Sequence, residues 1–247
     1  MIELRKDIDI DFIIRKKQFH HVYQPVYDLR SWEIYGVEVL IRCEFFDSAE
    51  LLFQVAAKEQ KLYELDTCSI HYALAIYKEY AEKQNTKWFL NVFPSTLVHP
   101  CFQNFLAQIS GIPHRADHLI FEMNEAEQIT DMAALKEAVA ALKARPGFAI
   151  AIDDFGNGDA SIRNLVELQP KYVKLDRFFS ANLSASAAKQ NMVKMLVEFC
   201  RENNMHLILE GIETPKDLAA AKRLGVRLGQ GFLLGKPFPF EMVLQIT

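Results

Sequence analysis

The stretch HLIFEMNEAEQITDMAALKEAVAALKARPGFAIAIDDF, residues 118–155, decides the fold. It opens on a short apolar run, His118 to Glu125, passes through a segment of helical periodicity over 131–145, and closes on a second apolar run, Phe148 to Phe155. Strand, helix, strand is the unit of a parallel sheet. The same alternation continues in both directions. Upstream lie strand candidates at His20 to Leu29, Ile34 to Cys43 and Trp88 to Phe93, with helical stretches over 49–62 and 66–84. Downstream come Lys171 to Arg177, His206 to Glu213 and Gly229 to Gly235, with helices over 187–204 and 215–224. Thr214 is placed to cap the last helix, Pro215 to occupy its first turn, and Gly225 to follow its end.

Eight strands alternating with helices in a chain of 247 residues predict a TIM-like (β/α)8 barrel, an α/β fold that commonly occupies about 250 residues as one unit. A doubly wound open sheet is the rival, but it usually uses fewer strands at this length. Only Arg30 to Glu33 separate the first two strands, and a parallel crossover needs about a dozen residues. At least one strand is therefore expected to run antiparallel. With no Pro/Gly/Ser linker or low-complexity stretch in the way, residues 1–247 read as a single domain.

Charge and cysteine usage narrow the classes further. Lys and Arg number 28 against 32 acids, a formal net charge of −4, which gives no electrostatic reason to expect a long nucleic acid as partner. No stretch of about 18 apolar residues occurs, so no membrane span is expected. Cys43, Cys68, Cys101 and Cys200 are widely spaced with apolar neighbours and read as buried reduced thiols, which favours a cytoplasmic location. The seven histidines lack metal-site spacing and read as core or surface residues. Phe178-Phe179 reads as core or interface, and the stripe Met192, Met195, Leu196 and Phe199 as the barrel-facing side of its helix.

Chemistry is concentrated where strands end. Glu38, Asn91, Glu122, Asp153, Asp154, Lys174, Asp176, Glu210, Glu213 and Gln230 all sit within or at the close of apolar runs. A buried lone carboxylate costs several kcal/mol, roughly, unless it meets a cation. In a barrel all these strand ends converge on one mouth, where barrel active sites are built. Carboxylates with an amide, and no cysteine or histidine among them, suit Mg²⁺ or Mn²⁺ rather than zinc. Adjacent Asp153 and Asp154 leave the end of a strand, where the alternation of faces fails and both can turn toward a cation. Two cations about 3.5–4 Å apart are the usual clamp for in-line phosphoryl chemistry. Lys174 can orient water there or stabilise charge developing on a phosphate.

Read as motifs, these residues are similar to a known set. Glu38-Val39-Leu40-Ile41-Arg42, Leu90-Asn91-Val92, Glu122-Met123-Asn124-Glu125, Asp153-Asp154-Phe155-Gly156-Asn157-Gly158, Val173-Lys174-Leu175-Asp176, Glu210-Gly211-Ile212-Glu213-Thr214 and Gln230-Gly231-Phe232, opened by Gln24-Pro25, follow in order along nearly the whole chain. Together they resemble the EAL-domain family, phosphodiesterases that linearise the bacterial messenger cyclic di-GMP. The resemblance implies that Glu38, Asn91, Glu122 and Asp153 bind one Mg²⁺ or Mn²⁺, and that Asp153 and Asp154 bridge to a second with Asp176 nearby. It gives Lys174, Glu210 and Gln230 to the attacking water, and Gln24 and Arg42 to the ligand. Glu38 and Arg42 are four residues apart, so both serve one site only if the strand ends or bends between them. Glu125 would brace the loop after Asp154, which in the family links metal occupancy to dimerisation. The implied product is linear pGpG, and the implied assembly a homodimer.

The chain departs from that pattern at Val39, Cys43, Asn124, Asn157, Asp159 and Ala160, none of them an implied ligand. The altered loop Asn157–Ser161 motivates an alternative of another class, a catalytically weak or inactive module that binds cyclic di-GMP as a receptor or acts through a protein partner. A third reading is another Mg²⁺ barrel enzyme acting on phosphodiesters.

Overall fold

The computed structural model describes residues 9–80, 86–111, 118–124, 127, 131–156 and 161–246. Eight strands close into a barrel in sequence order: β1 His20–Asp28, β2 Ile34–Arg42, β3 Lys87–Val92, β4 Leu119–Asn124, β5 Phe148–Phe155, β6 Tyr172–Leu175, β7 His206–Leu209 and β8 Leu228–Gly229. β1 is antiparallel to both β2 and β8, and every other pairing is parallel. The short β1–β2 connection thus had the expected consequence.

Alternation of side chains along each strand builds the site. The outward face, including Val37, Leu90, Phe121, Ile150, Val173 and Leu207, packs under the helices in the main core. The inward face carries a second apolar layer of Val26, Phe89, Ile120, Ala151, Tyr172, Ile208 and Leu228. Two residues further toward the mouth, still facing inward, come Gln24, Asn91, Glu122, Asp153, Lys174, Glu210 and Gln230. On β2 the residue below Glu38 is Gly36, where a Cβ would lie 2.7 Å from the Phe89 ring. An apolar floor therefore carries a polar layer.

Three expectations are corrected. The last strand, expected over Gly229 to Gly235, is only Leu228–Gly229, because the chain turns over the end of β7. Gly231 sits at φ 153°, and a Cβ there would lie 2.2 Å from the Ile212 nitrogen, so an extended side-chain-bearing strand cannot continue. The helix Ala187–Glu202 buries Val193, Leu196 and Cys200, leaving Met192 and Met195 exposed. Cys101 is exposed and Cys68 half-buried, while Cys43 and Cys200 are buried as expected. Of the pair Phe178-Phe179, the first is exposed and the second packs against the main core.

Candidate active site

Lys174 is fully buried at the centre of the mouth. Its Nζ lies 2.9 Å from Asp153 Oδ1 and Glu210 Oε1, 3.2 Å from Glu122 Oε1 and 3.3 Å from Glu38 Oε2. Four carboxylates from four different strands or strand ends thus share one ammonium. Burial works against the lysine's charge, but the surrounding carboxylates outweigh it and hold its pKa well above the ordinary value. Burial also dominates at Glu122 and Glu210, and repulsion from Glu38 and Asp153 adds to it, so both carboxyls are pushed well up. At Glu38 burial is overcome by Lys174 and by the amides of Gln230 and Asn91, so its carboxyl lies below the usual range.

The amides orient the acids. Gln230 Nε2 donates to Glu38 Oε2 at 2.7 Å, leaving its buried Oε1 without a hydrogen-bond partner. Asn91 Nδ2 faces Glu38 Oε1 at 3.5 Å and the Val39 carbonyl at 3.4 Å, so its own carbonyl oxygen is the atom it would offer a cation. Asp154 owes its direction to the backbone. The β5–β6 register breaks between Ile152 and Phe155, and Asp154 stands at φ 54°, in the left-handed region. That bulge breaks the alternation, as expected from the adjacent acids, and Asn124 Nδ2 holds Asp154 Oδ2 at 3.0 Å. Burial first, then Asp153, pushes the Asp154 carboxyl up to about 6.

The donor set fits hard divalent cations. Oxygens of Glu38, Glu122 and Asp153 lie within 4.8 Å of one another, as do those of Asp153, Asp154 and Glu210. Both oxygens of Glu122 are buried without a hydrogen bond. A carboxylate so placed stays ionised only with more positive charge than one lysine gives to four acids. Asp176 stands outside both groups. Its Oδ1 accepts the Phe178 N–H at 2.7 Å and caps the turn Arg177–Ser180, although it lines the mouth.

Two cavities meet at this cluster, sharing Glu38 and Asp154. The larger, about 640 Å³, also holds Asn91, Asp153 and Arg42; the smaller, about 230 Å³, holds Gln24, Asp176, Glu210, Glu213 and Gln230. β2 neither ends nor bends between Glu38 and Arg42, yet both line the larger cavity. Gln24 is paired with Glu38 across β1–β2, its Nε2 donating to the Gly235 carbonyl at 3.2 Å. Glu125 and Asn157 to Ala160 lie outside the described residues.

Sequence reasoning missed several groups. Asn124, noted only as a departure, holds Asp154. Arg177 and Phe232 line the smaller cavity. Asp66, on the helix Leu62–Tyr80, is buried and accepts the Phe93 N–H at 3.0 Å just beyond Asn91. Burial pushes its carboxyl up to about 7. An acid on the apolar face of a helix was the signal for it.

The family model described as EAL domain matches residues 4–237. The chain belongs to the EAL family. Relatives include a probable cyclic di-GMP phosphodiesterase, PdeN of Escherichia coli K12, 24% identical across 97% of this chain and 47% of its own length. The cyclic di-GMP phosphodiesterase PA2567 of Pseudomonas aeruginosa is 29% identical over 89% of this chain and 38% of its own. The EAL chain thus spans about half, or less, of the curated relatives it matches. Among solved structures, the manganese and cyclic di-GMP complex of Klebsiella pneumoniae BlrP1 superposes with a TM-score of 0.80 at 27% identity, covering 90% of this chain and 56% of that one. The cyclic di-GMP complex of the PaMucR phosphodiesterase gives 0.82 at 26%, covering 95% and 98%. Among the described residues no helix of this EAL chain is long and apolar enough to cross a membrane.

Proposed function

We propose that this EAL chain is a divalent-metal-dependent phosphodiesterase that opens cyclic di-GMP to linear pGpG. The observation that carries the reading is the cluster of four carboxylates around Lys174 at the meeting point of two cavities. Such a site suits a diester with a bulky group on either side. The relatives named for that activity and the two nucleotide complexes support the same substrate.

Glu38, Asn91, Glu122 and Asp153 would hold one Mg²⁺ or Mn²⁺, and Asp153 and Asp154 a second, with Glu210 near enough to share it and Asp176 behind. Divalent cations there supply charge against the diester oxygens and acidify water. The residues do the rest. Lys174 stays protonated and keeps the inward carboxylates converged. Gln230 Oε1, buried and unpartnered, accepts a hydrogen bond from the attacking water, and Glu210, with its raised pKa, takes the proton. As the water oxygen bonds to phosphorus, the P–O3′ bond breaks; the departing 3′ oxygen takes a proton from solvent to become a hydroxyl, and Glu210 returns the proton it took to solvent. Gln24 and Arg42 position the nucleotide from the two cavities. Glu125, by the family resemblance, braces the loop after Asp154.

The reading extends to a cytoplasmic homodimer. Ile162 and Val166, one turn apart on the helix Ser161–Leu168, are 74% and 58% exposed and offer an apolar strip on the helix that follows that loop in the sequence.

Incubation of purified protein with cyclic di-GMP and Mg²⁺ or Mn²⁺ tests the reading, with pGpG as the expected product. Glu38→Ala is expected to lower the rate by more than about 100-fold, since even residues behind metal ligands cost up to about that much. Binding of cyclic di-GMP without pGpG under either metal would favour the receptor reading.

A further inference from the structure

β2 and β3 pair only as far as Val39 and Leu90, whereas β2 continues to Arg42 paired with β1 alone. Above that point the barrel wall is split. The larger cavity passes from the acid cluster through the split into the layer beneath the helices Ala49–Lys58 and Leu62–Tyr80. There it has apolar walls from Phe53, Ile70 and Ala73, with His21, Ser69 and Asp66 among its polar groups.

His21 is only 7% exposed, and its Nε2 lies 3.0 Å from Ser69 Oγ. Its Nδ1 is buried with no hydrogen-bond partner. Burial, and then the neighbouring His20, draws the imidazole pKa down to about 4, so the ring is neutral near pH 7. A neutral imidazole has one donor and one acceptor nitrogen. Ser69 uses one of them, which leaves Nδ1 to a ligand. Leaving such a group unsatisfied is costly, so an occupant that pairs with it gains more than apolar contact alone. His21 faces the helices, and along β1 it is three residues from the inward-facing Gln24, roughly 10 Å of strand at 3.3 Å per residue. That is the order of the separation between phosphate and base edge in a nucleotide.

We propose that the split between β2 and β3 admits one base of the dinucleotide, and that His21, oriented by Ser69, reads the edge of that base and so determines specificity. The inference rests on the phosphodiesterase reading. It concerns selection of the substrate, not the chemical step.

The test compares kcat/KM for cyclic di-GMP with kcat/KM for bis(p-nitrophenyl) phosphate, a diester without bases, in wild type, His21→Leu, His21→Asn and Ser69→Ala. The ratio is expected to fall roughly tenfold in His21→Leu, mainly through KM, the effect of losing about one hydrogen bond. His21→Asn, which restores a polar group near Nδ1, recovers part of it, and Ser69→Ala loses part of it. A parallel fall with both substrates marks a packing role and overturns the inference, as does an unchanged ratio. Should wild type hydrolyse neither diester, the phosphodiesterase reading fails. The calorimetric Kd for cyclic di-GMP with Mn²⁺ then decides for His21: a roughly tenfold weakening in His21→Leu supports base reading, and an unchanged Kd or no wild-type binding overturns it.

Discussion

At the scale of residues, the mouth is an electrostatic compromise built around Lys174. Removing one partner of a buried ionic cluster is far more damaging than never having had it, because the charges left behind cannot be solvated. Lys174→Met is therefore expected to destabilise the metal-free protein by about 3–5 kcal/mol in urea unfolding. Glu122→Gln should act in the opposite direction. It removes the acid with the worst environment, buried and without a hydrogen bond, so the metal-free protein should gain stability while losing Mn²⁺ affinity. Stabilisation by Lys174→Met, or loss of stability in Glu122→Gln, would show that the four acids are not competing for one cation. These residues were legible in the sequence because acids interrupt apolar runs that could otherwise be entirely buried. His21 was not, because its chemistry comes from depth and from a partner 48 residues away, and a lone histidine carries no sign of either; Asp66 showed only as an acid on an apolar helix face, its partner lying 27 residues away.

At the scale of elements, period-two alternation explains both what could be read and what could not. β5 ends in Asp153-Asp154, and an uninterrupted strand would point the two acids to opposite faces. The bulge and the left-handed Asp154 bring both to the mouth. In that backbone region a residue with a Cβ costs about 1–2 kcal/mol, partly offset in glycine by its extra unfolded-state entropy. Asp154→Gly is accordingly expected to be more stable than Asp154→Ala by roughly 0.5–1 kcal/mol in urea titrations. Equal stabilities would mean that the bulge relaxes when the carboxylate is removed. Where elements were misread, the period was present but its phase or length was set by tertiary contacts. In Ala187–Glu202 the buried positions Val193, Leu196 and Cys200 are offset from the run of methionines. After Gly229, GFLLG looks like strand, but the Ile212 backbone crowds Gly231 and forces a turn. The helix Phe102–Ile109 is eight residues long, too short for its periodicity to stand out.

At the scale of the whole molecule, the polar layer ties the barrel together. Glu38, Asn91, Glu122, Asp153 and Lys174 stand on β2 to β6, with Glu210 and Gln230 just past β7 and β8, so charge in this layer acts on every parallel strand of the barrel at once. Its pH dependence has a definite sign. Glu122 and Glu210 titrate well above 4.5 in the folded chain, Asp153 is raised, and Asp154 is pushed to about 6, while only Glu38 is lowered. Carboxyls with raised pKa hold protons more tightly when folded. Their contribution is complete below the ordinary carboxylate pKa and is lost as pH rises through the folded values. The metal-free melting temperature should thus fall as pH rises from about 4.5 through 6 and beyond. A divalent cation takes the place of those protons. Saturating Mn²⁺ should raise the melting temperature more at pH 8 than at pH 5.5, by the linkage between binding and folding, and chelation should reverse the gain. Glu122→Gln should both flatten the metal-free decline and lose most of the Mn²⁺ increment. A Mn²⁺ gain that is independent of pH, or that survives Glu122→Gln intact, would place the stabilising ion somewhere other than this cluster.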